Sequence, residues 1–401
     1  MADVAKHAIE IPRSGIRDVF DRVEQIPDAI SLCLGEPGET ASTHIVEVAC
    51  KSLQAGKTKY TDVLGIPEFR SAVTSYTQRV KGLTYNEDTE IQAVDGATIG
   101  LYLAIKSVID PGDEVIIPSP YFTSYDAEVL MCDAIPVTVA LKPEHGMHIN
   151  AGEIRKAITP RTKAIIINSP CNPTGAVTTA EELAEVAELC KEFDLWVISD
   201  EVYHPFVFAS GAETEPVGDA VAPSIAAVPG MHERTIIVES LSKTYAMTGW
   251  RIGYLLAPSN VIEQTSKIAE MMHSSVNSTA QYGGAAALTG PQKHVYDMRE
   301  EYRSKRSLVL DALADCKAVR LIEPQGAFYV FVDVRPTGLT SDEFSRKLLE
   351  EEKVAVVPGE AFGVEGSGFV RLSYAGKEED LKEGVKRLRR FAESQQAAHF
   401  A

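Results

Sequence analysis

A series of short apolar runs, each cut off by polar or glycine-bearing residues, constrains this chain more than any other feature. The runs read TEIQAV, EVIIPS, TKAIIIN, LWVIS and TIIVE, and helix-like stretches lie between them. Strand-length, β-branched runs alternating with helical segments specify an α/β fold whose sheet is largely parallel. In open sheets of that kind, ligand chemistry collects just beyond the carboxyl ends of the strands. The residues that follow each run therefore carry the functional information.

After the first run come Asp95, Gly96, Ala97 and Thr98, then a helix-like segment. A glycine turn that enters a helix leaves backbone N–H groups pointing outward, which suits a phosphate. Many such turns need glycine for geometry alone. Tyr121 stands just past Val115-Ile116-Ile117, where an aromatic ring can stack on a flat ligand or pack into the core. Asn172 lies in NSPCNPTG, held between Pro170 and Pro173. The helix that follows is scaffold: Thr178 and Thr179 with Glu181 and Glu182 offer capping boxes, and Leu183, Val186, Ala187 and Cys190 form one apolar face. Asp200 ends the next run, with Tyr203 beyond it, and alone it reads equally as a turn or cap residue. The last run opens into SLSKTYAMTGWRIG, which contributes Ser240, Ser242, Lys243 and Arg251. Each residue has an ordinary explanation, but one sheet edge gathers them all.

The bulk properties narrow the field. A formal charge of −18 over 401 residues excludes a general nucleic-acid binder, which needs a basic face for phosphates. Six scattered cysteines show no metal-ligand or Cys-x-x-Cys spacing and suit a reducing compartment. His145 and His148 are too isolated from other ligand types to imply a metal. The opening MADVAKHAIEIPRSG has no apolar core of a secretory signal, and no run approaches the roughly 20 apolar residues of a membrane helix. The expected location is the cytoplasm, so Asn277-Ser278-Thr279 is not expected to be glycosylated.

Pyridoxal 5'-phosphate accounts for the whole set. Its aldehyde requires an amine for a Schiff base, which Lys243 supplies. Its ring nitrogen requires a buried carboxylate to stay protonated, and Asp200 fits. Asn172 and Tyr203 suit the phenolic oxygen. Ser240, Ser242, the turn Gly96-Ala97-Thr98 and Arg251 suit the phosphate, because a planar guanidinium matches phosphate oxygens well.

With SLSKTYAMTGWRIG, NSPCNPTG, SDEVY, GEP and GFVRLSYA in this order, the chain resembles the class I/II pyridoxal-phosphate aminotransferases from about Ile30 to about Ala375. The branch acting on aromatic amino acids and aspartate is the most similar. The resemblance implies an aspartate aminotransferase-like fold: an N-terminal segment over 1–40, a large cofactor domain over 41–290 and a small domain over 291–401. It implies that Arg371 grips the substrate α-carboxylate, with the Gly35 backbone and Asn172 beside it. It also implies a homodimer in which Tyr60 reaches the partner's cofactor phosphate. Without the resemblance, Arg371 reads as an exposed arginine, Gly35 as a turn glycine and Tyr60 as a half-buried surface aromatic.

One loop departs from the family pattern. After GEP this chain has Gly38-Glu39-Thr40-Ala41-Ser42 where an acidic residue, an aromatic and a threonine–proline are usual. Between Arg251 and Arg299 there is no arginine to pair with a second substrate carboxylate, and Glu39 would repel one if it faced inward. Arg13 and Arg17 are the cations able to compensate. The expectation is transamination from a broad or aromatic range of L-amino acids to an oxo acid such as 2-oxoglutarate. An aspartate-preferring enzyme, a lyase or racemase on the same scaffold, and a regulator's sensor domain are the alternatives. The last needs an added DNA-binding region, for which the thirty or so residues before the match are too few. GVEGSG lacks the strand-to-helix context of a dinucleotide fingerprint.

Overall fold

The structure, a computed structural model, describes residues 3–209 and 216–399. The apolar runs assemble into one seven-stranded sheet. Its strands are β1 (Ile91–Val94), β2 (Glu114–Ser119), β3 (Ile135–Ala140), β4 (Thr162–Asn168), β5 (Trp196–Asp200), β6 (Thr235–Ser240) and β7 (Gly253–Leu256). Their spatial order is β1-β7-β6-β5-β4-β2-β3. Pairing is parallel from β6 across to β3, whereas β7 runs antiparallel to both β6 and β1.

The central runs are continuously apolar because both faces of the sheet are covered. Ile165 and Ile167 pack with Leu183, Val186 and Cys190 of helix Ala180–Glu192. Ala164 and Ile166 point the other way, into a core shared with Leu101, Ala104 and Ile105 of helix Ala97–Val108. Each such isoleucine contributes about 1.5–3 kcal/mol by its removal from water. Helix Ala180–Glu192 opens on Thr179, whose hydroxyl accepts from Glu182 N while the Glu182 carboxylate accepts from Thr179 N. Of the two candidate threonines, Thr179 is the cap and Thr178 is buried.

Register brings the strand ends level. Asn168 is paired with Asp200 across β4 and β5, and Ser240 with Gly253 across β6 and β7. A second, antiparallel sheet has the order Val357–Pro358, Phe369–Ser373, Tyr329–Asp333, Arg320–Ile322. Helices Lys293–Leu313, Ser341–Glu352 and Glu378–His399 belong to the same C-terminal region. The beginning of the chain packs there as well: Ile30–Ser31 pairs in parallel with Val354–Ala355, and Leu32 joins the core of Val330, Leu372 and Leu388. Among the described residues no helix is long and apolar enough to cross a membrane, and no cluster of His, Cys, Asp or Glu has metal-site geometry.

Candidate active site

The strand ends, the GEP segment and the C-terminal sheet enclose a cavity of about 170 Å³. Ala97, Thr98, Ser240, Ser242 and Arg251 line it. Asn172, Asp200, Tyr203, Lys243, Gly35 and Arg371 line it as well.

Asp200 ends β5 and is 4% exposed. Its carboxylate accepts from the Tyr125 hydroxyl at 2.5 Å and from Val202 N at 3.3 Å. Among the described residues no ion pair joins it to a cation, and burial, helped by the nearby Glu239 and Glu201, pushes its acid up to about 6. A buried carboxylate without a cation is costly, so the position is built for a positive group that arrives with a ligand.

Lys243 follows β6 on a short helical turn capped by Ser240, whose hydroxyl accepts from Ser242 N. The lysine donates to the Gly35 carbonyl at 2.5 Å. Burial lowers its amine to about 8, opposed by Glu36 and assisted by the positive charges of Arg371 and Arg251. That makes it a usable nucleophile and base near neutrality.

Arg251 has a left-handed backbone with φ +52° and donates to the carbonyls of Thr248 (2.9 Å) and Asp95 (3.4 Å). Its guanidinium lies so close to Gly96 that a Cβ there would stand 2.4 Å from Nη2. Gly96, itself at φ +83°, is therefore required both for its own conformation and for the arginine's approach. Together they present a cation and helix N–H groups to one end of the cavity.

Arg371 is central in strand Phe369–Ser373 and only 1% exposed. It donates to Asn172 Oδ1 and to the Cys33 carbonyl, each at 2.9 Å, while Nε has no hydrogen-bond partner. Its guanidinium sits over the Tyr329 ring, 4.4 Å from the centroid. No carboxylate pairs with it among the described residues. A buried guanidinium held only by neutral groups suits a carboxylate ligand.

The amine, the cation-free carboxylate and the phosphate seat fit pyridoxal 5'-phosphate. The sequence pattern of the family aminotransferase class I and II matches residues 27–388. The chain belongs to this family. It is similar to the aspartate aminotransferase of Pyrococcus abyssi, 41% identical and covering 94% of each chain. It is likewise 39% identical, again over 94% of each chain, to the aromatic-amino-acid aminotransferase 2 of Thermococcus litoralis. The solved aromatic aminotransferase of Pyrococcus horikoshii superposes with a TM-score of 0.88 at 40% identity, covering 94% of this chain and 99% of that one. This aminotransferase is thus an enzyme of amino acid transamination, dependent on pyridoxal 5'-phosphate.

Three sequence candidates are absent from the cavity lining: Gly96, which lies against the Arg251 guanidinium, Tyr121 and Tyr60. Tyr121 is turned away: its N–H donates to the Phe362 carbonyl, and its ring stacks on Tyr125 with centroids 6.5 Å apart. The next residue, Phe122, lines the cavity instead. Tyr60 is 88% exposed, not half-buried as its surroundings in sequence suggested. Arg371, read from sequence alone as exposed, is buried. Sequence reading also passed over Ile16, Phe20, Leu101, Asn168, Val202 and Tyr329, which complete the lining. Asn168 had a signal, being the last residue of an apolar run; the others had none.

A larger depression of about 480 Å³ lies between helix Gly15–Val23 and helix Ser341–Glu352, with Arg13 and Tyr121 on its wall. Among the described residues no lysine lines it, whereas Lys243 lines the smaller cavity. Arg17 faces Asp21 at 3.5 Å on the surface, and Glu39 accepts from the Tyr302 hydroxyl at 3.1 Å, outside the lining.

Proposed function

We propose that this aminotransferase accepts aromatic and other neutral L-amino acids at least as well as aspartate, and passes the amino group to an oxo acid such as 2-oxoglutarate. One observation carries this reading. Apart from Lys243, Arg251 and Arg371, no lysine, arginine or histidine among the described residues lines the cavity, while Ile16, Phe20, Leu101 and Phe122 give it apolar walls. A distal carboxylate there has no free cation, and its desolvation would cost several kcal/mol.

The roles follow from position. Arg371 takes the substrate α-carboxylate in a two-pronged pair, with Asn172 fixing the guanidinium and the Gly35 backbone beside it. Asp200 holds the proton on the ring nitrogen, and Tyr203 with Asn172 faces the phenolic oxygen. Gly96, Ala97, Thr98, Ser240, Ser242 and Arg251 hold the phosphate. When bound, the cofactor supplies an aldehyde carbon to carry the amino group and a ring to accept electrons released at the substrate Cα. Lys243 would anchor it and, once released, would serve as the base that takes the proton from the substrate Cα. Neutrality of that amine near pH 8 favours the base role.

The reading includes a cytoplasmic homodimer in which Tyr60 completes the partner's phosphate site. Its support is the exposure of Tyr60, Leu53 and Met271, large groups that a second copy would cover. It also divides the chain into an N-terminal segment over 1–40, a large domain over 41–290 and a small domain over 291–401. The packing of Leu32 among C-terminal residues supports joining the first of these to the last.

The test is kcat/KM for phenylalanine, tyrosine, aspartate and a basic amino acid with 2-oxoglutarate as acceptor. Aspartate ahead by more than about a hundredfold, roughly 2.7 kcal/mol, would overturn the donor assignment.

A further inference from the structure

Next to Asp200, and outside the cavity lining, lies a buried ionic cluster that the reaction as described does not use. Lys81 is the last residue of helix Pro67–Lys81, yet its side chain is 2% exposed. Its ammonium donates to Glu201 Oε2 at 2.5 Å and also to Glu239 Oε1. Ser199 and Ser224 donate to the other Glu201 oxygen at 2.8 and 2.7 Å. His204 Nδ1 lies 2.9 Å from Glu239 Oε1, and its Nε2 lies 2.8 Å from the Tyr76 hydroxyl.

The placement of the two carboxylates is informative. Glu201 immediately follows Asp200, and its N–H donates to the Val238 carbonyl of β6. Glu239 immediately precedes Ser240 and is on the strand that delivers Lys243. Two buried anions thus flank the ends of β5 and β6, and Lys81 is the group that touches both. Buried charges of this kind are held only where a partner offsets them, and removing the partner leaves a field that acts on neighbouring groups.

We propose that Lys81 is a positioning residue for transamination: it ties the ends of β5 and β6 together and cancels carboxylate charge next to Asp200, so that Asp200 meets the cofactor's ring nitrogen as an anion. The inference rests on the Asp200 role given above. The other titratable groups around Asp200 are Tyr125, Glu128, Tyr203, Cys171 in the proline loop, and Lys243. Among the described residues none of these is ion-paired with Glu201 or Glu239; His204 is the further partner of Glu239, and Lys81 bridges both carboxylates. With Lys81 gone, the local field becomes more negative and Asp200 binds its proton more tightly. With Glu239 neutralised, the field changes in the opposite sense.

The experiment compares Lys81→Met, Lys81→Arg, Glu239→Gln and the charge-balanced pair Lys81→Met/Glu239→Gln in the holoenzyme. Two readouts are followed against pH: the absorbance of the bound cofactor, and the acid limb of kcat/KM. Lys81→Met should move both upward by roughly one unit, as expected for a lost charge in a buried setting. Glu239→Gln should move them downward, and Lys81→Arg and the balanced pair should return them toward the parent. Loosened packing would not reverse sign between Lys81→Met and Glu239→Gln. Shifts in one direction for both, or none in either, would overturn the proposal. If Lys81→Met fails to fold, Glu239→Gln and the balanced pair decide alone: a downward shift in the first, reversed in the second, supports it, and any other pattern overturns it. Asp200→Asn is run alongside. An active Asp200→Asn enzyme with an unaltered cofactor spectrum would remove the Asp200 role itself, whereas a crippled Asp200→Asn with unshifted Lys81 and Glu239 variants would remove only the role of Lys81.

Discussion

The ammonium of Lys243 donates to the backbone carbonyl of Gly35 at 2.5 Å, joining the end of β6 to the GEP segment across the cavity. A carbonyl can hold an amine without neutralising it, so the lysine keeps its nucleophilic and basic capacity. Lys243→Ala removes nucleophile and base together, and turnover should fall by several orders of magnitude. Cofactor should still bind, but no borohydride-trappable adduct should form. In the cofactor-free parent, burial lowers this amine to about 8, so it becomes neutral and reactive as pH rises through that value. Reconstitution rates measured against pH should rise through about 8, not through the usual lysine range.

Asp200 makes a prediction about stability as well as rate. Its folded-state acid is raised from 3.8 to about 6, mainly by burial. Across that window the folded chain keeps a proton that the unfolded chain has released, so stability of the cofactor-free protein falls as pH rises. Above the window the folded chain carries a buried anion. Asp200→Asn should therefore stabilise the cofactor-free protein at neutral pH by on the order of 2–3 kcal/mol, with the gain shrinking toward pH 4. The same variant should lose most of its activity, and Asp200→Glu should retain more. Melting curves at several pH values and steady-state rates check both halves. An Asp200→Asn enzyme more active than Asp200→Glu would return Asp200 to a structural part.

Phe122 and Tyr121 should separate cleanly. Phe122→Ala is expected to weaken cofactor binding and alter the bound spectrum, because its ring lines the cavity. Tyr121→Ala is expected to act on folding, since its ring packs against Tyr125 in the core. Equilibrium titration with cofactor, paired with denaturant melts, distinguishes them. Stronger cofactor loss in Tyr121→Ala would reverse the assignment.

A mixed dimer tests Tyr60. A subunit carrying Lys243→Ala and one carrying Tyr60→Ala, each impaired alone, form one intact site per mixed pair if Tyr60 works across the interface. Co-refolding the two should recover activity that neither shows. If no activity returns although mixed dimers form, Tyr60 acts within its own subunit or not at all.

Much of the site was legible because a parallel sheet sends chemistry to its strand ends. Asn172, Asp200, Tyr203, Ser240 and Lys243 could be placed by following each apolar run to its stop. Arg371 could not. It lies mid-strand, paired opposite Phe331 and Val357, where an isolated reading expects an apolar residue or an exposed charge. Only the family resemblance singled it out, and Gly35 with it. The doublet Tyr121-Phe122 shows another boundary: sequence marks an aromatic after β2, but tertiary packing against Phe362 and Tyr125 decides which ring enters the cavity. Ile16 and Phe20 carried no local signal, because the helix that bears them has its meaning only beside distant partners. The inward burial of Lys81 was equally hidden, since a lysine at a helix end ordinarily reaches for water.

The bond from Arg371 to the Cys33 carbonyl spans 338 positions of the chain. Cys33 is thus synthesised long before its partner Arg371. A nascent chain can build the long parallel sheet, strand after neighbouring strand, well before that contact exists. Closing so long a loop is entropically late and slow. A half-made chain could set Lys243 and Arg251 at the sheet edge before Arg371 reaches the Cys33 carbonyl. The wall that Arg371 and Gly35 give the cavity should therefore close only after the parallel sheet has formed.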